Sequence, residues 1–166
     1  MSHDAIVLLR EDHQDVKGLF TEFENSGENA YATKQKLADQ IIAMLTVHTY
    51  LENECVYPRV RELVPGIEDD ILESYEEHHV ADLLCLEIDA MSSENERFVP
   101  KMMVLAENVR HHIKEEEEGW FPKVREALGR KELQEIGEQM LVMRPTAPRR
   151  PSQPSALKKA VDAVLH

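Results

Sequence analysis

The chain has 166 residues, 42% of them hydrophobic and 5% aromatic, which is enough for one domain with a buried core. Its net charge of −13, from 32 acidic and 19 basic residues, argues against a nucleic-acid partner and against anionic membrane surfaces. No apolar run is long enough to span a membrane, no signal peptide is recognisable, and Cys55 and Cys85 form no CxxC pair, so we expect a cytoplasmic protein with reduced thiols.

Four consecutive segments show the three-and-four spacing of apolar residues that is typical of amphipathic helices. Residues that favour helix ends separate them: Gly27 after the first, Pro58, Pro65 and Gly66 after the second, Ser92 and Ser93 after the third, and Pro122 and Gly129 after the fourth. Short connections make neighbouring helices antiparallel. The sequence therefore predicts an all-α, antiparallel up-and-down four-helix bundle over residues 1–130.

Extra helical segments follow the bundle at the C-terminal end. Residues 131–143 show helical spacing and predict one further helix that packs outside the bundle. Residues 144–166 form a Pro/Arg-rich linker and then a short C-terminal helix from Ser155. From Arg144 onward there are five basic residues and one acidic residue, so this tail either lies on the acidic body or contacts a partner protein.

An internal repeat connects histidines to acidic residues. The segment His48–Pro58 reads HTYLENECVYP, and the segment His112–Pro122 reads HIKEEEEGWFP; they share the frame HxxxExExx(aromatic)P, 64 residues apart. The triplet Glu-Asp-His that ends at His13 has a counterpart, Glu-Glu-His, that ends at His78, 65 residues later. The chain thus contains two copies of a helical hairpin, and each copy offers one histidine followed by one HxxxE pair.

Residues at i and i+4 point the same way from a helix, so His48 and Glu52 are able to bind one ion together, and the second HxxxE pair does the same. Packing the two hairpins about a pseudo-twofold axis brings four imidazoles and two carboxylates together. Six ligands are too many for one tetrahedral zinc ion and suit two ions bridged by the carboxylates; the mixed donors favour iron or manganese. The predicted ligands are His13 and His48 for one ion, His78 and His112 for the other, and Glu52 and Glu116 as bridges.

Several neighbours of these ligands are candidates for outer positions. His79 and His111 adjoin predicted ligands, and the repeat offsets favour His78 and His112 over them. Glu77, like Asp12, precedes a ligand histidine and is suited to orienting an imidazole.

The repeat also bears on the role of Tyr57 and on which residue of the acidic run 115–118 faces the core. Tyr57 precedes Pro58 and has Phe121 as its counterpart, so a role at the site would be one-sided, with ordinary packing as the alternative. In the acidic run 115–118, only Glu116 is expected to face inward.

The phrases EEHHVADLL at His78 and NVRHHIKEEEEGWFP at His112 resemble the hemerythrin-like family, in particular the bacterial HHE cation-binding domains. The resemblance covers about residues 4–128 and implies an up-down bundle with a non-haem di-iron centre. It carries over the ligands His13, His48, Glu52, His78, His112 and Glu116. Oxygen-carrying hemerythrins have a further histidine one turn before the third-helix ligand, where this chain has Ser74, which puts simple oxygen carriage in doubt.

The resemblance implies a protein that binds or reacts with a small oxidant (O2, H2O2 or NO), including catalase- or peroxidase-like activity in oxidative or nitrosative stress. Whether it is an enzyme stays open. The alternatives are a non-enzymatic sensor of O2, NO or iron, an iron-storage or iron-repair protein, and a metal-free helical interaction domain. Iron is expected at the site, with manganese as the second choice.

Overall fold

The computed structural model of the protein describes residues 3–151, and this part of the chain is helical without any β-strand. The all-α bundle expected from the sequence is confirmed. The helices are α1 (Ala5–Asn25), α2 (Tyr31–Leu51), α3 (Tyr57–Leu63), α4 (Glu68–Asp89), α5 (Phe98–Lys114), α6 (Phe121–Ala127) and α7 (Arg130–Met143).

Two π-helical turns join α2 to α3 and α5 to α6, at Glu52–Val56 and Glu115–Trp120. In each turn the backbone N–H of the aromatic residue, Tyr57 or Phe121, donates to the carbonyl oxygen five residues earlier. The wide turn places the following proline in the first turn of the next helix, where no N–H is needed. The expectation that Pro58 and Pro122 end their helices is therefore wrong.

Local sequence sets the helix starts. Asp4 caps α1, because its Oδ1 accepts hydrogen bonds from the backbone N–H groups of Ile6 at 2.8 Å and Val7 at 3.2 Å. Gly66, with a φ of 86°, adopts the left-handed conformation just before α4. The first turn of α4 is acidic, which complements the positive end of its helix dipole.

The two hairpins, α1 with α2 and α4 with α5, pack together through α2 and α4. Two apolar clusters fill the interior. One contains Leu9, Tyr57 and Trp120, and the other contains Val16 and Phe98. His13 lies one turn after Leu9 and one turn before Val16, so the predicted ligands form a polar layer between these clusters.

The helix predicted at 131–143 is present as α7, which packs on α1 and on the first π turn. Leu133, Ile136 and Met140 belong to the apolar cluster around Leu9, so α7 shares the core of the bundle and does not merely lie outside it. A 3₁₀ turn (Arg144–Thr146) follows. The short C-terminal helix predicted from Ser155 lies outside the described residues.

The two cysteines are free and buried, one in each apolar cluster: Cys55 lies near Leu9, and Cys85 lies near Val16. In the described part of the chain, no helix combines the length and the apolar character needed to cross a membrane.

Candidate metal centre

The six predicted ligands converge in the polar layer. Four helices supply one histidine each, and each π turn supplies one carboxylate at its first or second residue. All six side chains are buried, and both carboxylates are 0% exposed. Their donor atoms form two groups, in each of which all atoms lie within 4.8 Å of one another: His13, His48 and Glu116, and Glu52, His78 and His112. These six residues are called the His/Glu cluster below.

Each carboxylate of the His/Glu cluster lies between two histidines, one from the predicted pair His13 and His48 and one from the predicted pair His78 and His112. Oε1 of Glu52 is 2.8 Å from Nε2 of His48 and 3.2 Å from Nε2 of His78. Oε1 of Glu116 is 3.3 Å from Nε2 of His13 and 3.2 Å from Nε2 of His112. A carboxylate that bridges two ions needs this position between two sets of imidazoles.

The other ring nitrogen of each histidine, Nδ1, faces an oxygen atom. Three Nδ1 atoms donate hydrogen bonds: His48 to Oδ2 of Asp12 at 3.0 Å, His112 to Oε1 of Glu77 at 3.1 Å, and His78 to Oδ1 of Asn53 at 2.7 Å. Nδ1 of His13 lies 3.4 Å from Oε1 of Glu117. Partners of this kind fix the tautomer and direct the Nε2 lone pair toward the centre.

The sequence repeat accounts for these partners. The residue before each single histidine, Asp12 or Glu77, serves the HxxxE histidine of its own hairpin. The residue after each glutamate of the His/Glu cluster, Asn53 or Glu117, faces the single histidine of the other hairpin. The expectation that Glu117 is solvated is wrong, because the π turn rotates it inward and leaves its side chain only 14% exposed. Asn53 was missed, although its place after Glu52 in the repeat was a usable signal.

Buried ring nitrogens and carboxylate oxygens that lack hydrogen bonds show that the His/Glu cluster fits metal ions. Nε2 of His78 and Nε2 of His112 lie 3.1 Å apart, and facing lone pairs repel unless a proton or a cation lies between them. Within residues 3–151, Nε2 of His13 and of His48 and both oxygens of Glu52 are buried and make no well-directed hydrogen bond, although Nε2 of His48 lies only 2.8 Å from Oε1 of Glu52. Two ligand atoms about 2.1 Å from one ion lie about 3 Å apart when they subtend a right angle at the ion, and the 3.1 Å between Nε2 of His78 and Nε2 of His112 agrees with that distance. Buried atoms left unpaired are costly, and metal coordination satisfies them.

The electrostatics of the buried carboxylates favours a positive charge at the cluster. Burial alone would raise the pKa of Glu52, but attraction to His48 and contacts with His112 and His78 hold it well below its usual range. Burial alone would lower the pKa of His48, yet Glu52 and Asp12 raise it to about 10. Burial alone would also lower the pKa of His112, yet Glu116, Glu52 and Glu77 raise it well above its usual value. Without a cation, His48 and His112 therefore keep protons, which metal ions would replace.

Tyr57 contacts the His/Glu cluster directly, so its role exceeds ordinary packing. Its hydroxyl donates to Oε2 of Glu116 at 2.8 Å and lies 3.2 and 3.3 Å from Nε2 of His78 and His112. Burial and the nearby carboxylates Glu116 and Glu52 raise its pKa well above the usual value, so the hydroxyl keeps its proton. The ring stacks on His78 at 5.2 Å, as the ring of Phe121 stacks on His13 at 6.0 Å.

The two histidines next to the ligands have different surroundings. The side chain of His111 is 64% exposed and pairs with Glu115 at 2.9 Å on the surface. His79 is half-buried, and its Nδ1 has no hydrogen-bond partner within the described residues. Of the residues predicted for outer positions, Asp12, Glu77 and Tyr57 touch the cluster.

A cavity opens beside the histidines between α1, α2, α4 and α5. Besides the imidazoles, its lining includes the apolar side chains of Val16, Leu45, Ala81, Val109 and Ile113. A small space with apolar walls admits a small molecule and keeps bulk water away from the ligands.

A family model described as the hemerythrin HHE cation-binding domain matches residues 4–124. The chain belongs to this family. The resemblance seen in the histidine motifs is thus confirmed, and the His/Glu cluster is a buried group of residues in this hemerythrin HHE domain that could hold metal ions.

Two similar proteins extend this finding. The crystal structure of a hemerythrin HHE cation-binding domain-containing protein from Mycobacterium kansasii, an Rv2633c homologue, matches with a TM-score of 0.72 at 21% identity and covers 86% of each chain, which shows the shared fold. A protein of Nostoc sp. (strain PCC 7120 / SAG 25.82 / UTEX 2576) named DNA nickase is 32% identical over 128 residues. The match covers 77% of this HHE chain and only 35% of that relative's length.

Proposed function

We propose that this HHE protein is a non-haem di-iron protein that binds or reacts with a small oxidant such as O2, H2O2 or NO. One observation carries the proposal: Glu52 and Glu116 each lie between a histidine of one pair and a histidine of the other. Two ions held on such pairs would share both carboxylates. The mixed imidazole and carboxylate donors suit iron or manganese, and the resemblance to the family favours iron, with manganese as the second choice.

Different residues of the chain would have different roles at the centre. The two histidine pairs and the two carboxylates would hold the ions, and the partners of Nδ1 orient the imidazoles. Iron ions, when bound, supply the electrons for redox chemistry with a small oxidant. The apolar side chains of the cavity exclude water, and the hydroxyl of Tyr57, whose oxygen lies 2.8 Å from Oε2 of Glu116, holds a proton beside the cluster. That proton is available beside the centre on one side only, because Phe121 occupies the equivalent position on the other.

A nickase function is not part of the proposal. The relative with that name is nearly three times as long as the part that matches this chain, and the chain carries a net charge of −13, which opposes binding to phosphates. We still expect that the protein has no nucleic-acid partner.

Repeated turnover of peroxide tests the proposal. The full chain is reconstituted anaerobically with ferrous iron, H2O2 is added in large excess over protein, and oxygen evolution and the optical spectrum are followed. We expect a changed near-ultraviolet spectrum and many peroxide molecules consumed per protein. Iron-loaded protein with a changed spectrum but no turnover would identify a sensor. Rapid release of iron to a chelator with no spectral response to any of the three oxidants would identify an iron store and contradict the proposal.

A further inference from the structure

The segment that follows α7 reaches the His/Glu cluster from outside the four-helix bundle. Arg144 donates two hydrogen bonds to the carboxylate of Asp12, from Nη1 to Oδ1 at 3.2 Å and from Nη2 to Oδ2 at 2.9 Å. The same Oδ2 accepts the hydrogen bond from Nδ1 of His48 at 3.0 Å. Two contacts in series therefore join Arg144 to a predicted ligand.

The geometry of these contacts restricts how the imidazole turns. A guanidinium that binds both oxygens of a carboxylate fixes the plane of that carboxylate as well as its position. Asp12 is largely buried, so water offers it few alternative partners. With Asp12 fixed, the donor Nδ1 of His48 has one favourable direction, and its Nε2 is directed at the cluster.

The other half of the repeat lacks this support. Glu77, the counterpart of Asp12, contacts the ligand His112 through Oε1 and faces the exposed His111 through Oε2 at 3.9 Å. An imidazole at that distance on the surface does not fix the carboxylate plane. The segment after α7 therefore acts on one half of the cluster, and this asymmetry separates its effect from general stabilisation.

Arg144 is itself held on both sides. Met140 of α7 is buried in the core cluster just before it, and Ala147 is buried against Val47 and Leu51 just after it. We propose that Arg144, which lies beyond the stretch 4–124 matched by the family, is a positioning residue for the metal centre: it fixes Asp12 and thereby the orientation of His48. This inference rests on the proposed metal site.

The Arg144–Asp12 ion pair lies at a surface groove. Arg144 and Asp12 line a surface groove together with Arg149, and Asp12 and Met44 line both this groove and the buried cavity. The Arg144–Asp12 pair thus lies between the groove and the cavity. Loss of the pair would loosen one ligand and also open a path to it from solvent.

The proposal is tested by the rate of iron release under anaerobic conditions. The reduced, iron-loaded chain is mixed with the ferrous chelator ferrozine, and the loss of iron is followed over time. In Arg144→Gln we expect one of the two irons to leave faster than in the wild type, by at most the roughly 10- to 100-fold loss of metal affinity that follows removal of a direct partner of a ligand. Arg144→Lys keeps the charge without the two-point contact and should fall in between. Asp12→Asn should reproduce the effect, and adding Arg144→Gln to it should change little more.

The matched control is Arg125→Gln. Arg125 makes the same two-point contact with Asp4 on the same helix, at 3.1 and 3.2 Å, at the capped end of α1. The Arg125→Gln substitution should lower the thermal unfolding midpoint of the metal-free protein about as much as Arg144→Gln does, and it should leave iron release unchanged. Mössbauer spectra of the ⁵⁷Fe-loaded Arg144→Gln variant should show one altered iron and one unaltered iron.

Equal release from Arg144→Gln and the wild type would overturn the inference, and so would equal acceleration of both irons. In either case an iron-loaded wild type leaves the proposed function standing. A wild-type chain that takes up no iron would overturn the proposed function and this inference together.

Discussion

At the scale of single residues, the two halves of the repeat are equivalent in ligands and different in what surrounds them. Asn53 faces one single histidine and the carboxylate Glu117 faces the other. Tyr57 donates to Oε2 of Glu116, whereas Oε2 of Glu52 has no hydrogen-bond partner within residues 3–151. Two ions bound here would therefore have unequal neighbours.

Replacing Glu116 by alanine should abolish metal loading and not merely slow a reaction. The carboxylate lies between His13 and His112, so its loss affects both halves. We expect about a tenth or less of the wild-type iron content by elemental analysis. Glu118→Ala, in the same acidic run but exposed, should keep wild-type iron. A Glu116→Ala variant with near-normal iron would contradict the ligand assignment.

Replacing Tyr57 by phenylalanine should leave iron content unchanged and weaken the metal-free fold. The repeat already has Phe121 at the equivalent position, so the ring fits. Without the hydroxyl, Oε2 of Glu116 loses its donor, which lowers the free energy of unfolding by about 1–3 kcal/mol. Urea unfolding of the metal-free protein measures this, with Tyr31→Phe as the exposed control. An unchanged unfolding free energy would show that the hydroxyl contact contributes nothing.

At the scale of helices, the π turns are what the sequence did not reveal. Helical spacing and the HxxxE pairs were sufficient to predict the four helices and the convergence of the six residues. Prolines were interpreted as helix ends, because a regular α-helix does not accommodate them internally. One wide turn before each proline continues the helix and rotates Asn53 and Glu117 toward the histidines. Such turns occur frequently at functional sites, and their hydrogen-bond pattern has no simple sequence signature.

The docking of α7 depends on a glycine. A Cβ atom at Gly137 would overlap the carbonyl oxygen of His3, whereas a Cβ atom at Gly18 in α1 meets nothing within 4 Å. Gly18→Ala should raise the free energy of unfolding by about 0.5–1 kcal/mol, because alanine favours a helix. Gly137→Ala should lower it, because α7 and the N-terminal segment must separate. Chemical denaturation measures both, and a stabilising Gly137→Ala would contradict the close approach of these segments.

At the scale of the whole molecule, a layer of ionisable side chains crosses the middle of an apolar core. The clusters around Leu9 and Val16 surround it on both sides. The sequence predicted this arrangement from histidines within apolar stripes. It did not predict the contribution of the segment after α7, because the link from Arg144 to Asp12 joins residues far apart in sequence and leaves no periodic signal.

Removing the metal should destabilise the protein as a whole. Ligands that bind the folded state at 1,000 times their Kd add about 4 kcal/mol, which corresponds to roughly 10 °C in unfolding midpoint for a chain of this size. Calorimetry of iron-loaded and chelator-treated protein measures this difference. Glu116→Ala should show no response to the chelator. An identical midpoint for loaded and treated wild type would mean that the His/Glu cluster is not occupied by metal.

The most direct test of the account is the number of iron ions per chain. The 166-residue chain is reconstituted anaerobically with ferrous iron, freed of unbound metal, and analysed for iron and protein. We expect close to two irons per chain, because each of the two carboxylates lies between a histidine of one pair and a histidine of the other. No bound metal after reconstitution, or a single iron that stays single at saturating ferrous iron, would contradict it.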